Sequence, residues 1–454
     1  MTTTRLLALM ATLLATTPVF AQQLPAQVAW RYDEDWSVLK NLDPAGLPPW
    51  TAGKYVELTP GGKVWLTTGL EIRARYEGYH GNGWGSAPAP NDGYLWLRAL
   101  PYAALRAGPL KVFVQGIAGY VTGLATQPGP ADKTGIDVLQ RFGEVSLKLA
   151  DTAIEVRDGR ELVALGSERL VGLRYGPNIP QPFQGMHANI QTGSVRLQLL
   201  SVRPVTIGPN DFDDRSSATR RLDAVYATIS FDQSGTDIYA LDYRNRSEQV
   251  EQGIGKEHRE TYGARYFGNA GRWGWNWEAM LQTGHFSGMP VHAWSLGTET
   301  SYRISPVTIR LRADTISGDH DAGDHTLQTF DPMFPKGKYF GELTPIGPSN
   351  IVNLHPGVDL DLRRDLTMGL AVIDYWRQSR GDGIYGIAGN LLRSGSANHA
   401  RHIGVQEELV LNWHPHPLVS VLASYSVFEP GAFIEQTGPA HIIHMIGLET
   451  MFRL

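Results

Sequence analysis

From about residue 64 onward the chain alternates, segment after segment, between an apolar set of residues and a polar or charged one. Leu70, Ile72, Ala74 and Tyr76 interleave with Glu71, Arg73, Arg75 and Glu77. Val307, Ile309, Leu311 and Ala313 interleave with Thr308, Arg310, Arg312 and Asp314. The same period recurs through Val195–Leu199, Tyr239–Arg244, Trp273–Gln282 and Ile446–Arg453. A period of two sends the two sets to opposite faces of a sheet, so the chain is predicted to be all-β. No stretch beyond residue 21 holds 18 consecutive apolar residues, which excludes helical membrane spans.

Two architectures use such strands. A soluble sandwich buries the apolar face. A membrane barrel turns that face to lipid and the polar face to a lumen, and it must be closed because lipid offers no partners to open backbone groups. The apolar sets include Trp and Tyr, as at Tyr76, Trp273 and Trp275, which suits membrane-interface belts. The strand-like units run for about 390 residues without a linker, a length at which a sandwich divides into domains. No fixed repeat marks a propeller. The expectation is therefore a transmembrane antiparallel β-barrel of the outer-membrane type.

The N-terminus agrees with export. Arg5, the apolar run Leu6–Leu14 and the small residue Ala21 read as a secretory signal peptide over 1–21. Residues 22–63 are strand-poor and are expected to form a periplasmic lead-in, with the barrel over 64–454. Strands of about ten residues with alternating short and long connections predict about 16–18 strands, a size that encloses water. Pro- and Gly-rich pieces mark loops. Gly81–Pro90 and Phe330–Tyr339 are the segments expected to fold into the lumen if any do.

Composition narrows function. The formal net charge of −5 argues against nucleic acid as a partner. There is no cysteine, hence no disulfide and no thiol chemistry. No Gly-x-Ser-x-Gly, Gly-x-x-x-x-Gly-Lys or His-Glu-x-x-His motif occurs, so neither an enzyme nor a cofactor is expected. Asp319-His320-Asp321 with Asp324-His325 has metal-ligand residue types, but it reads as a solvated polar loop, and no metal is assigned. Asp33-Glu34-Asp35 is equally weak as a catalytic carboxylate pair.

What remains is the lumen. Arginine outnumbers lysine 31 to 9, and its planar fork binds carboxylates in a way lysine cannot. Strand parity places Arg73, Arg75, Arg196, Arg265, Arg310, Arg312 and Arg377 inward. Glu71, Glu77, Glu144, Asp242, Glu278, Glu299, Asp314, Glu408 and Glu449 are their expected acidic partners. Such a lattice attracts anions into a wet pore while the acids brace the wall.

Several segments, in order along most of the chain, resemble the alginate export family. They are Arg31-Tyr32-Asp33-Glu34-Asp35-Trp36, then Gly159-Arg160-Glu161-Leu162 with Arg169-Leu170-Val171-Gly172, and Phe330-Asp331-Pro332-Met333-Phe334-Pro335. Gly347-Pro348-Ser349-Asn350, Asp382-Gly383-Ile384-Tyr385-Gly386 and Pro430-Gly431-Ala432-Phe433-Ile434 complete the series. The resemblance implies an eighteen-stranded, monomeric outer-membrane barrel with an arginine-rich constriction for an acidic polysaccharide. It also implies that Arg98 and Arg160 join Arg73 and Arg75 at the waist. The expected partners are outer-membrane lipid, an anionic polysaccharide such as alginate and periplasmic export components. Uptake of small organic anions or oligosaccharides is the alternative, and a soluble periplasmic carbohydrate-binding protein the remote one. One departure stands out: the chain ends in Leu454 rather than the aromatic residue usual for such barrels, with Phe452 two places earlier.

Overall fold

The computed structural model describes residues 24–454 except 26, 29, 175 and 396–398; the expected signal peptide lies outside the described residues. Eighteen long strands make the wall. They are β1 (Val64–His80), β2 (Asp92–Ala107), β3 (Leu110–Thr122), β4 (Gly135–Leu149), β5 (Thr152–Leu162) and β6 (Pro182–Thr192), followed by β7 (Val195–Thr206), β8 (Arg220–Ser230), β9 (Ser234–Val250), β10 (Gly253–Ala270), β11 (Trp273–Phe286) and β12 (Met289–Ile304). The last six are β13 (Val307–Ile316), β14 (Ile351–Arg363), β15 (Leu366–Trp376), β16 (His402–His416), β17 (Val419–Pro430) and β18 (Ile443–Arg453). Each pairs antiparallel with the next, and β18 returns to β1 in the register Glu71↔Arg453 to His80↔His444, so the sheet has no free edge.

At one end every connection is two or three residues long. Gly108, Gly193 and Gly271 sit there at φ near +60°, a conformation that tight hairpins demand and glycine adopts without steric cost. The opposite end carries the long loops 163–181, 317–350 and 377–401. Short turns face the periplasm and long loops the exterior in barrels of this kind.

Alternation sets the outer skin. Val112, Leu147, Leu199, Val225, Ile238, Leu281, Leu311, Leu370 and Leu448 are all exposed. In water so continuous an apolar surface would drive association; hydrocarbon accepts it. Trp273, Trp277 and Trp413 lie near the short turns, and Tyr76, Tyr120, Trp294 and Tyr425 nearer the loops, as two aromatic belts.

The lumen is more filled than a wide barrel requires. Loops 163–181 and 317–350 fold inward and join through a bridge between Val171 and Phe334. Phe330, Phe334, Tyr339, Phe340, Leu343 and Ile346 form an apolar core with Tyr226, Tyr239, Leu241 and Tyr243 of the wall. Phe330–Tyr339 thus enters the lumen. From the Gly81–Pro90 segment Trp84 does so too, packing 5.9 Å from Phe428.

This filling corrects one face assignment. Tyr239, Leu241 and Tyr243 point inward, because the loop core offers them an apolar surface, and Tyr243 meets Phe334 edge-on at 5.5 Å. Asp242 and Arg244 therefore lie on the outer surface, toward the loop end, where Asp242 pairs with Arg244 at 2.9 Å and His258 at 2.7 Å. Asp242 is not a lumen partner. His320, Asp321, Asp324 and His325 are exposed, as expected of a solvated loop, but Asp319 is not. Asp319 is fully buried against loop 377–401, its backbone N–H donating to Asp382 at 3.0 Å.

The N-terminal segment is not merely a lead-in; it packs into the short-turn mouth. Tyr32 contacts Phe113 and Phe142 edge-on, and Trp36 is fully buried. Buried Glu34 accepts hydrogen bonds from Trp36 and Tyr102, each at 2.9 Å. The Arg31 guanidinium donates to the carbonyl of Leu454 at 2.5 Å, and Leu454 exchanges backbone hydrogen bonds with Leu70. The non-aromatic terminus is thereby fastened to β1.

Candidate transport pore

The pore is built from three chain regions: the inward faces of the strands, the two infolded loops and the N-terminal segment. Strand β1 supplies the densest charge. Arg75 is fully buried and donates to Glu77 at 2.5 Å, Glu342 at 2.9 Å and Glu449 at 3.3 Å. Arg73 donates to the carbonyl of Pro177 at 3.0 Å and lies 3.9 Å from Glu449. Arg98 pairs with Glu71 at 2.9 Å and donates to the carbonyl of Asn178 at 3.1 Å. The three arginines thus converge on Pro177, Asn178 and Glu342, where both infolded loops meet the wall. Removing one partner from a buried pair of this kind costs about 3–5 kcal/mol, so these contacts fix the loops as well as the field.

On β13 Arg312 donates to Asp314 at 3.1 Å and to the carbonyl of Tyr339, with its guanidinium 4.5 Å from the Tyr339 ring centroid. Asp314 also pairs with Arg169 of loop 163–181, whose Nε lies 3.4 Å from Glu278. Arg310 grips Asp359 in a two-pronged pair at 2.6 and 2.7 Å. Lys336 and Lys338 enter from loop 317–350. Burial first, then Arg312 and Arg169, push Lys336 down to about 8; burial lowers Lys338 as well, opposed by Glu342.

Two open cavities lie in this lumen. One, about 360 Å³, is lined by Arg310, Arg312, Lys336, Lys338, His355, Glu299, Asp359 and Glu408. The other, about 720 Å³, is lined by Arg157, Arg196, Arg265, Asp33, Glu155, Asp237 and the aromatic rings of Tyr32 and Phe267. Arg265 pairs there with Asp237 at 2.7 Å, and Arg196 hydrogen-bonds Asn189 at 2.8 Å. Both cavities mix cationic forks, acids and ring faces. A carboxylate can exchange among such forks, and an apolar surface can slide over the rings.

Two expected pore arginines serve other ends. Arg377 lies just past β15 and donates to the carbonyls of Ala400, Arg380 and Asp382, so it braces loop 377–401. Arg160 donates to the carbonyls of Val138 and Asp214 and holds loop 207–219 to the strand ends. Of the acids, Glu144 pairs with Lys111 at 2.7 Å and Arg157 at 2.5 Å, Glu278 accepts the Tyr239 hydroxyl at 2.7 Å, and Glu408 accepts the backbone N–H of Glu342 at 2.6 Å. Sequence reasoning passed over Arg157, although Ile154 and Val156 of the same strand would have placed it inward by parity. It also passed over Arg169, Lys336, Lys338 and Glu342, which lie on loops where no period exists.

A model of the alginate export family matches residues 64–446. No curated protein matches significantly. Among solved structures, Pseudomonas aeruginosa OpdK with vanillate is 12% identical, with a TM-score of 0.62 over 86% of this chain and 98% of that one. OccK2 (OpdF) of the same organism, in complex with glucuronate, is 12% identical with a TM-score of 0.58 over the same shares. A BenF-like porin from Pseudomonas fluorescens Pf-5 is 11% identical with a TM-score of 0.61, again over 86% and 98%. At such identities the likeness establishes the barrel fold.

Proposed function

The chain belongs to the alginate export family, is an outer-membrane channel by fold and family, and on that footing we propose that it passes acidic saccharides of the uronate class, exported as a polyuronate such as alginate. The observation that carries this reading is the convergence of Arg73, Arg75 and Arg98 on the infolded loops, where Glu342 joins Arg75 to Lys338, which lines one cavity with Arg310, Arg312 and Lys336. A uronate chain carries one carboxylate per sugar. Each fork already holds an acid of the protein, so an incoming carboxylate replaces one partner with another instead of falling into a deep trap. Favourable entry with easy exit is what conduction requires. The low-dielectric wall focuses the cationic field along the path. No bond is made or broken.

One observation favours a second reading, uptake of small organic anions. The loop core occupies much of the outer lumen, and the open spaces have the volume of single sugar acids or short oligomers. Solved relatives in fold were captured with vanillate and with glucuronate. Planar-bilayer recording with glucuronate, its oligomers and long polyuronate distinguishes the readings. Under the first, block deepens with chain length and the polymer threads; under the second, monomers permeate and longer chains only plug. Absence of anion preference would defeat both.

A further inference from the structure

We propose that Glu248, Glu257 and Asp331 form a binding site for a hard divalent cation, fitted to calcium, that pins loop 317–350 to strands β9 and β10. The site goes beyond the transport reading and does not depend on the solute.

Its origin is visible in the register. On β9 the residues Tyr239 to Asn245 point inward at odd positions, and Asn245 pairs with Glu257. The register then shifts, so that Glu248 pairs with Gly255. A bulge re-aims the side chains that follow it. Here it turns Glu248 inward, where Asn245 donates to it at 2.5 Å. The third carboxylate comes from the Phe330–Pro335 segment. Asp331 accepts the backbone N–H of Met333 at 2.7 Å through one oxygen.

One carboxylate oxygen from each of the three residues lies within 4.8 Å of the other two. The second observation is a buried, unpartnered oxygen on two of them. Glu257 is only 3% exposed, and its Oε2 has no hydrogen-bond partner among the described residues; the same holds for Asp331 Oδ2. Arg259 offsets one charge by donating to the other oxygen of Glu257, at 2.8 Å through Nε. Its Nη2 donates to that same oxygen, and its Nη1 donates to Gln282 at 2.8 Å and the Thr329 carbonyl at 3.0 Å. Three buried or half-buried carboxylates against one guanidinium are an excess of negative charge that the interior relieves by binding a proton or a cation.

The donor set chooses the ion. All ligands are oxygens, which excludes a preference for soft or nitrogen-seeking metals. Calcium binds oxygen at about 2.3–2.6 Å, so oxygens on opposite sides of it stand up to roughly 5 Å apart, whereas magnesium needs a tighter, near-octahedral cage. The three oxygens lie within 4.8 Å of one another and come from two strands and a loop, the adaptable kind of shell that calcium accepts. Waters complete the shell from the side where Glu248 and Asp331 are half-exposed.

The test is isothermal titration of calcium into the purified, detergent-solubilised full chain after chelation, with Asp331→Asn and Glu257→Gln. Glu260→Gln serves as control, because Asp242, His258 and Glu260 form a separate outer cluster. The unheated electrophoretic mobility of each variant reports whether the barrel has folded, and Asp331 lies on a loop outside the wall. Expected are one calcium per chain, affinity weakened by about 10–100-fold in Asp331→Asn as for a damaged metal shell, no change in Glu260→Gln, and calcium-dependent protection of loop 317–350 from protease in the wild type and Glu260→Gln that Asp331→Asn loses at the same calcium concentration. No calcium binding by the folded wild-type barrel, or binding undiminished in both Asp331→Asn and Glu257→Gln, overturns the proposal.

Discussion

Arg169→Ala is expected to unlatch the two inward loops and widen the channel. The guanidinium is buried between Glu278, at 3.4 Å, and Asp314, and it also donates to the Tyr339 hydroxyl at 2.9 Å. It therefore links loop 163–181 both to the wall and to loop 317–350. Removing one member of a buried pair costs about 3–5 kcal/mol when the partner is left bare. The lower figure applies here. Asp314 keeps Arg312 at 3.1 Å and Asn353 at 2.9 Å, and Glu278 keeps the Tyr239 hydroxyl at 2.7 Å. At 1.36 kcal/mol per decade, a loss of about 3 kcal/mol shifts the ratio of seated to displaced loops by roughly 150-fold. The loops stay joined to each other, because Gly172 donates to Phe334 at 2.8 Å and Phe334 to Leu170 at 2.9 Å, so they move as one body. The strand ladder is untouched, and the unheated electrophoretic mobility should not change. Single-channel recordings should show larger and more frequent openings, and limited proteolysis should cut within 163–181. Wild-type conductance together with wild-type protease resistance would refute the latch. Failure to form a barrel would refute the separation of latch from wall.

Other expectations follow from the same charges. Lys336 is charged below about 8 and loses its charge above it, so anion preference, read from reversal potentials, should fall as pH rises through that value, and Lys336→Met should abolish the step. Because that value lies below the ordinary 10.5, charged Lys336 disfavours the folded loop, whose stability should rise as pH climbs from about 8 toward 10.5. Arg310 and Asp359 are each 36% exposed, so Arg310→Gln should change stability by no more than about 1 kcal/mol while lowering anion preference; a large stability loss in denaturant titration would contradict that. Trp36→Ala empties a fully buried site in the N-terminal segment, costing about 3–5 kcal/mol locally, and should raise channel noise from the short-turn side without altering the barrel.

Period-two alternation made the wall legible, because a strand exposed to lipid on one side and water on the other must sort its residues. The charged face of β1 was readable for that reason, and Glu71, Arg73, Arg75 and Glu77 all point inward. The same logic failed at Tyr239–Arg244. There the inner side is not water but a packed loop, so the apolar set turned inward and Asp242 outward. Nothing periodic announces such a loop. Phe330–Pro335 is apolar without alternation, and its partners Val171 and Leu170 lie some 160 residues away. The N-terminal segment did carry a signal: aromatic residues such as Tyr32 and Trp36 seldom stay exposed in a strand-poor stretch. Arg160 and Arg377 looked like their neighbours in sequence, but their partners are backbone carbonyls of distant loops, which side-chain chemistry alone does not foretell.

The seam between β1 and β18 has a bearing on biogenesis. Until β18 docks, both margins of the wall would present unsatisfied amides to the bilayer, which tolerates none. The Arg453–Glu71 contact at 3.1 Å and the Arg75–Glu449 contact at 3.3 Å span this seam, and Arg31 reaches the backbone beside it. Closing the cylinder thus also creates the anchor that holds the N-terminal segment at its short-turn mouth.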